Sequence, residues 1–200
     1  MKPRVPVLTI AALALAWVAS AQPAGSGSNE FVNQMAIAGM AEVHLGKMAA
    51  AQAASPDVKA FGQMMVKDHS QANTELTRIA TQLGITPPKA LDAKHKELAD
   101  KLSKLKGAEF DREYMTAMVE GHEEVAGKLR ARADMKLTSA QPPAGETPPA
   151  GAPRGDPKSG AASVGTTGKG EQALTQWAAK TLPAVQKHLE RARELKDKIK

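Results

Sequence analysis

The chain contains no cysteine among its 200 residues. This absence excludes a secreted domain held by disulfides, a lipoprotein anchored through a modified cysteine, and any chemistry that needs a thiol nucleophile. The fold must therefore be stabilised by its apolar core. About 180 residues remain once a predicted signal segment is set aside, which is enough for one domain.

Aromatic residues are scarce as well, at 3% of the chain. Ala, Leu, Met, Lys, Gln and Glu are abundant instead. Unbranched side chains lose little rotamer freedom on a helix, whereas β-branched and aromatic side chains suit sheets. With no strand signal and no internal repeat in view, the composition predicts an all-α fold.

Several functional motifs are missing too. The chain has no Gly-rich phosphate loop, no Ser/His/Asp spacing and no Glu-x-x-His sequence. Ferritin-type di-iron centres require Glu-x-x-His on two helices, so iron oxidation of that kind is disfavoured. The net charge of +6 falls to +4 without Lys2 and Arg4. That excess is too small to predict nucleic-acid binding.

The first 21 residues have the three zones of a Sec-type signal peptide. Lys2 and Arg4 precede an apolar run over residues 5–18, and Ala19-Ser20-Ala21 follows as a cleavage site. A membrane anchor would need about 20 apolar residues. We therefore expect cleavage after Ala21, a flexible leader over residues 22–28, no transmembrane segment in the mature chain, and export to the periplasm or cell envelope.

Apolar residues at steps of three and four predict four long helices and one short helix. The long helices are expected near residues 30–54, 56–83, 110–133 and 171–195, and the short one near 91–105. The turn at Ser55-Pro56-Asp57 makes the first two antiparallel, with Ser55 as the predicted N-cap. Pro183 should kink or divide the last helix. Residues 29–200 are thus predicted to form one four-helix bundle with an accessory helix.

Residues 134–170 differ in composition from the rest. Pro, Gly, Ala, Ser and Thr replace large apolar side chains there. Such a segment buries too little apolar surface to offset the entropy of ordering it. We expect a disordered insertion before the last helix.

One ionisable residue interrupts the apolar stripe of each long helix: Glu42, His69, His122 and His188. Glu42 lies thirteen residues before Ser55 and His69 fourteen after it, so both lie roughly 20 Å from the shared turn. His122 and His188 also fall near the middle of their helices. The sequence therefore predicts one polar layer inside the bundle.

Imidazole with a carboxylate suits Zn, Cu, Fe or Ni, so this layer is a candidate site for one transition-metal ion. Asp68 could orient a metal-bound histidine by accepting from its other ring nitrogen. A buried hydrogen-bonded network that holds the helices in register without an ion is the alternative, and both interpretations stay open. Asp111 also faces inward but lies three turns from His122, in another layer. His44 and His95 fall off the stripes, and His44 is expected at the surface.

The sequence resembles the exported bacterial family called domain of unknown function 4142, over about residues 29–133 and 171–195. The resemblance implies a ferritin-like bundle and a periplasmic or envelope location, and it implies no reaction. It rests on these segments: Met40-Ala41-Glu42-Val43, Gly46-Lys47, Ser55-Pro56-Asp57-Val58-Lys59-Ala60-Phe61, Met65-Val66-Lys67-Asp68-His69, Leu91-Asp92-Ala93-Lys94-His95, Phe110-Asp111-Arg112-Glu113-Tyr114, Met118, His122-Glu123, and Thr181-Leu182-Pro183 followed by His188.

Three function classes follow. The first is a non-enzymatic envelope protein that binds a transition metal in stress or metal homeostasis. The second is a metal-dependent oxidase or peroxidase that uses the same site. The third is an adhesion or interaction module without metal, supported only by a basic C-terminal helix whose Lys and Arg residues are interleaved with Glu and Asp. The candidate partners are the surface of the cell envelope, bound peripherally, and a second copy of this chain.

We predict that the mature protein starts at Gln22, because small residues at Ala19 and Ala21 fit a signal-peptidase site. Intact-mass measurement of exported protein tests this. A mass that includes residues 1–21 would contradict it.

Overall fold

The computed structural model describes residues 25–139 and 161–199 of the chain. Within these ranges the protein is helical, with no strand beyond an isolated bridge between Ala53 and Gly107. The predicted all-α class is confirmed, as is the count of four long helices and one short one. The helices are α1 (Ser26–Gln52), α2 (Pro56–Gln82), α3 (Ala93–Ser103), α4 (Gly107–Ser139) and α5 (Ala161–Lys198).

The four long helices form a closed ring in cross-section. α1 packs on α2, α2 on α5, α5 on α4, and α4 on α1. The short helix α3 lies outside this ring against α1 and α4. Gly84 and Gly107, where the sequence predicts helix breaks, have positive φ angles of 68° and 63° that favour glycine.

Two separate apolar clusters fill the bundle. The cluster near the α1–α2 turn includes Leu45, Phe61, Met65, Phe110, Tyr114, Met118 and Leu195. The cluster at the opposite end includes Val32, Met35, Leu76, Ile79, Leu129, Leu174 and Trp177. On every long helix the predicted polar residue lies between the members of these two clusters. The polar layer therefore divides the core in two.

The helices α1 and α2 approach each other most closely where glycines face one another. A Cβ atom on Gly62 would lie 2.7 Å from the carbonyl oxygen of Gly46 and 2.8 Å from the Cβ of Ala49. A Cβ on Gly46 would likewise lie 2.7 Å from the Gly62 carbonyl oxygen. These glycines stand one turn after Glu42 and two turns before His69 in their helices. They set the helix spacing beside the polar layer.

The turn between α1 and α2 is held by Asp111 rather than by the predicted N-cap. Ser55 makes no side-chain cap hydrogen bond. Instead the Asp111 carboxylate accepts from the backbone N–H groups of Ala54 at 3.0 Å and Ser55 at 2.7 Å. The inward position of Asp111 in a separate layer is confirmed, and its role is to bind the first turn to α4.

The flexible leader predicted over residues 22–28 is corrected at its C-terminal end, because α1 already begins at Ser26. Ser28 is buried and donates to Glu171 Oε2 at 2.8 Å. The Arg132 guanidinium donates to Ser28 Oγ at 3.2 Å and also to Glu171. This network joins α1, α4 and α5 at the end of the bundle opposite the α1–α2 turn.

Both ends of the predicted insertion over residues 134–170 are helical: α4 runs to Ser139, and α5 starts at Ala161 rather than near residue 171. Residues 140–160 lie outside the described residues. Pro183 lies within the single helix α5, so the predicted division into two pieces is wrong. Good helix formers precede Pro183, and packing on α2 and α4 keeps the helix continuous.

The predicted signal peptide, residues 1–21, and its cleavage site also lie outside the described residues. Among the helices that the structure describes, none combines the length and apolar character needed to cross a membrane.

We predict that Gly62→Ala destabilises the protein by about 1–3 kcal/mol, because the added methyl group would press on the α1 backbone. Gly127→Ala is the matched control: Gly127 is an exposed helical glycine, and a Cβ added to it would meet nothing within 4 Å. It should stabilise by about 0.5–1 kcal/mol through helix propensity. Urea unfolding of both variants measures the difference. Equal effects would contradict the close approach.

Candidate metal centre

The bundle interior brings together the four polar residues that the stripes predict, one from each long helix. All four are buried, with exposed fractions of 7% for Glu42, 9% for His69, 1% for His122 and 5% for His188. They lie at the level where the two apolar clusters meet. Because the four helices surround one interior, their inward-facing side chains meet at its centre.

The three histidines form a compact group, the histidine cluster of His69, His122 and His188. Their ring centroids are 5.5–5.6 Å apart in every pair. One nitrogen from each ring lies within 4.8 Å of the nitrogens offered by the other two. No other group of three or more His, Asp or Glu side chains in the described residues has this geometry.

His122 is held by its own helix. Its Nδ1 lies 2.8 Å from the carbonyl oxygen of Met118, one turn earlier. Since a carbonyl only accepts, Nδ1 carries the proton and donates, which leaves a lone pair on Nε2. That Nε2 is buried without a hydrogen-bond partner. The backbone thus fixes both the tautomer and the direction of the free nitrogen.

His188 is held by a side chain from another helix. Its Nε2 lies 3.0 Å from Oδ2 of Asp68 on α2, and its Nδ1 is buried without a partner. The sequence analysis proposes Asp68 as a group that orients one of the histidines, and the structure shows that this histidine is His188. His69 completes the cluster with a buried Nε2 that also lacks a partner.

The spacing of the three nitrogens is close to what a metal ion needs. If all three pairs stood at the full 4.8 Å, a central point would lie about 2.8 Å from each nitrogen. Imidazole ligands of zinc lie at about 2.0–2.1 Å. Each nitrogen would therefore have to move inward by about 0.7 Å, which a small rotation of each ring supplies.

Glu42 stands beside the histidine cluster and is not one of its three members. Its Oε1 lies 3.5 Å from His122 Nδ1, the nitrogen that donates to Met118, and its Oε2 is buried without a partner. The carboxylate therefore faces the side of the His122 ring that points away from the free Nε2. In this geometry Glu42 is a neighbour of the cluster and needs a side-chain rotation to reach an ion held by the three rings.

Burial keeps the whole layer uncharged. Burial lowers the pKa of His69 to about 3, with further lowering by His122 and His188. Burial also lowers the pKa of His122 to about 4, although its bond to Met118 opposes this. Burial raises the pKa of Glu42 to about 8, with the charge of His95 acting in the opposite direction. At neutral pH the contact between Glu42 and His122 is therefore not an ion pair.

Two cavities adjoin the layer. The inner cavity has a volume of about 20 Å³ and is lined by residues that include Gly39, Glu42, His69, Asn73, His122 and Trp177. The outer cleft has a volume of about 450 Å³ and is lined by α1, α3 and α4, with residues that include Ile37, Ala41, Glu42, His95, Leu98 and Gly121. The inner cavity has room for about one water molecule or an ion.

The outer cleft was not foreseen from the sequence. His95, which falls off the apolar stripes, lines it and also belongs to the start of α3, where Asp92 accepts from its backbone N–H at 2.9 Å. The Asp92 N-cap pattern is visible in the sequence, but the position of α3 over α1 and α4 is not. His44 is exposed, as expected.

Comparison with known proteins adds one finding. A sequence profile of the family described as Domain of unknown function (DUF4142) matches residues 14–141. This range contains Glu42, His69 and His122 and ends before α5, which carries His188. No curated protein and no solved structure matches the chain.

We predict that Glu42→Gln stabilises the metal-free protein more at pH 8 than at pH 5. The folded protein holds a proton on Glu42 up to a pKa of about 8, against an ordinary value of 4.5 for glutamate. The folded state thus binds more protons between these values, and stability falls as pH rises, by at most about 1.4 kcal/mol per pH unit. Glutamine does not titrate, so the variant lacks this pH dependence. The histidines titrate in both proteins, so their contribution to the pH dependence cancels when the two are compared.

Urea unfolding with a chelator present, at pH 5 and pH 8, measures this difference. Glu97→Gln on the exposed face of α3 is the control. A Glu42→Gln effect that is the same at both pH values would show that the buried carboxyl does not hold its proton.

Proposed function

Because the chain belongs to the family described as Domain of unknown function (DUF4142), a description that assigns no activity, we propose its function from the site. We propose that the protein binds one transition-metal ion through the histidine cluster inside its bundle. The physiological role that fits this site is metal homeostasis or stress protection in the cell envelope. Export and a ferritin-like arrangement of the bundle are part of this proposal.

The observation that carries the proposal is the set of three free nitrogens. His69 Nε2, His122 Nε2 and His188 Nδ1 are all buried without hydrogen-bond partners. Leaving a buried polar atom unpaired costs about 1–3 kcal/mol. In a purely structural network, these nitrogens would form hydrogen bonds between the rings. Within the described residues, no hydrogen bond links them. An ion coordinated by all three would satisfy them together.

The donor set limits the choice of ion. Neutral imidazoles suit Zn, Cu, Fe or Ni, whereas Mg and Ca prefer oxygen ligands. Two of the three rings use their second nitrogen on an acceptor, Met118 O for His122 and Asp68 for His188. Hydrogen bonds of this kind raise the basicity of the ligand and fix its orientation. Three ligands leave a fourth position for water.

The space around the cluster favours binding over turnover of an organic substrate. The inner cavity beside His69 and His122 measures about 20 Å³. Sites for small organic molecules usually measure about 300–1,000 Å³. An ion with a single water fits this cavity, and a larger substrate does not.

The adhesion alternative has less support. In the basic C-terminal helix, Arg191 pairs with Glu194 at 3.0 Å and Arg193 pairs with Glu123 at 2.6 Å. These contacts are typical of a solvated helix face rather than of an unpaired basic surface.

We predict that metal-free wild-type protein binds one equivalent of Zn²⁺, Cu²⁺, Ni²⁺ or Fe²⁺ and that His122→Leu abolishes the binding. Bound ion at about 100 times its Kd should stabilise the folded protein by about 2.7 kcal/mol, and the variant should lose this increment. Calorimetric titration and thermal unfolding with and without ion measure both effects. The variant should fold without metal, because an apolar residue can replace a buried polar one.

His44→Leu is the matched control, since it removes an exposed histidine from α1 and should leave stoichiometry and Kd unchanged. A wild-type protein that takes up none of the four ions would contradict the proposal. A His122→Leu variant that binds as well as wild type would also contradict it.

A further inference from the structure

The outer cleft and the inner cavity meet at one side chain. Four residues line both: Met35, Ala38, Glu42 and Val125. Among these four, only Glu42 offers oxygen ligands. Its side chain is buried, and its Oε2 has no partner. A single carboxylate therefore stands between the cleft on the α3 side of the bundle and the cavity that contacts His69 and His122.

The carboxylate is open to the cleft because the residue next to it on α4 is a glycine, which has no side chain to cover it. Gly121 of α4 lines the cleft, and a Cβ atom on it would lie 3.5 Å from Glu42 Oε1. A side chain larger than a methyl group at position 121 would cover the carboxylate on the cleft side. The same Oε1 is 3.5 Å from Nδ1 of His122, the next residue of α4. Glu42 thus contacts the cleft and the histidine cluster at once.

The dimensions of the two spaces differ in a way that matters for an ion. The cleft of about 450 Å³ admits a hydrated cation, while the inner cavity of about 20 Å³ does not admit its hydration shell. A cation that moves from one to the other must exchange water for protein ligands. Moving an unpaired charge into a low-dielectric interior is costly, so a ligand at the boundary lowers the barrier.

We propose that Glu42 is a transient ligand that transfers a divalent cation from the outer cleft to the histidine cluster. In this ligand exchange, the Glu42 carboxyl group releases its proton to water in the cleft, and one of its oxygens replaces water on the ion. The side chain then rotates toward the cluster, and the oxygen–metal bond breaks as bonds to the three imidazole nitrogens form. The displaced water returns to the cleft, and Glu42 takes a proton back from water. No electron is transferred. The inference rests on the proposed function, because it assumes that the cluster is the destination.

The test uses Co²⁺, whose visible absorption changes when imidazole replaces water, and it measures rates rather than affinity alone. Stopped-flow mixing of metal-free protein with Co²⁺ gives kon, and displacement into an excess of chelator gives koff. In Glu42→Gln both rates should fall by the same factor, about 10- to 100-fold, as expected for losing one contact with a charged group. Because a residue on the path affects entry and exit alike, Kd should not change.

A second variant keeps the carboxylate and blocks its approach. Gly121→Leu places a side chain over Glu42 Oε1 and should slow both rates with Kd unchanged. Gly127→Leu is the matched control on the same helix, at an exposed position where a Cβ meets nothing within 4 Å. It should keep wild-type rates. Leucine is a better helix former than glycine, so both replacements are compatible with α4.

The outcomes are distinct. Unchanged rates in Glu42→Gln would overturn the route while leaving the proposed function intact. A faster koff with an unchanged kon would also overturn it, because Glu42 would then be a permanent ligand. If the wild-type protein binds no Co²⁺ at the histidine cluster, both the proposed function and the transfer by Glu42 are contradicted. Equal slowing of entry and exit in both Glu42→Gln and Gly121→Leu would support the transfer.

Discussion

Burying four ionisable side chains between two apolar cores is the constraint on which the rest of this bundle depends. Glu42, His69, His122 and His188 come from four different helices and meet at one level. A shift of any helix by one turn, about 5.4 Å, would move its polar residue into an apolar cluster and bring an apolar residue into the layer. Both changes cost free energy, so the layer specifies the register of all four helices together.

The remaining polar contacts of the interior fix the two ends of the bundle at a distance from the layer. At one end Asp111 binds the N–H groups of the α1–α2 turn, and at the other Arg132 joins Ser28 and Glu171. The facing glycines at positions 46 and 62 bring α1 and α2 together between these points. With both ends and the spacing fixed, the histidine rings have little freedom to separate. The site is therefore supported by the scaffold rather than by contacts among the rings.

Burial also decides the charge of the layer, and this bears on what an ion would do there. The pKa of each histidine is lowered and that of Glu42 is raised, so the metal-free layer is neutral near pH 7. A divalent ion on three neutral imidazoles would carry its full charge into the core. The hydrogen bonds to Met118 O and Asp68 help the rings to hold that charge, because they raise the basicity of the imidazoles. Glu42 lies at the boundary with the outer cleft and has access to both environments.

The sequence by itself determined the helices, their inward faces and the four residues of the layer, because helical periodicity shows which side chains share a face. It also placed Glu42 and His69 at one height, since a short turn makes two helices antiparallel with equal rise from the turn. Only the tertiary structure decided which of these residues form the cluster. Helix rotation and the contacts with Met118 and Asp68 orient the rings, and these involve residues up to 120 positions apart. Tertiary packing also decided three further features. These are the outer cleft, the exclusion of Glu42 from the cluster and the helical start at Ser26. Each depends on the packing of distant segments, which periodicity along one helix does not encode.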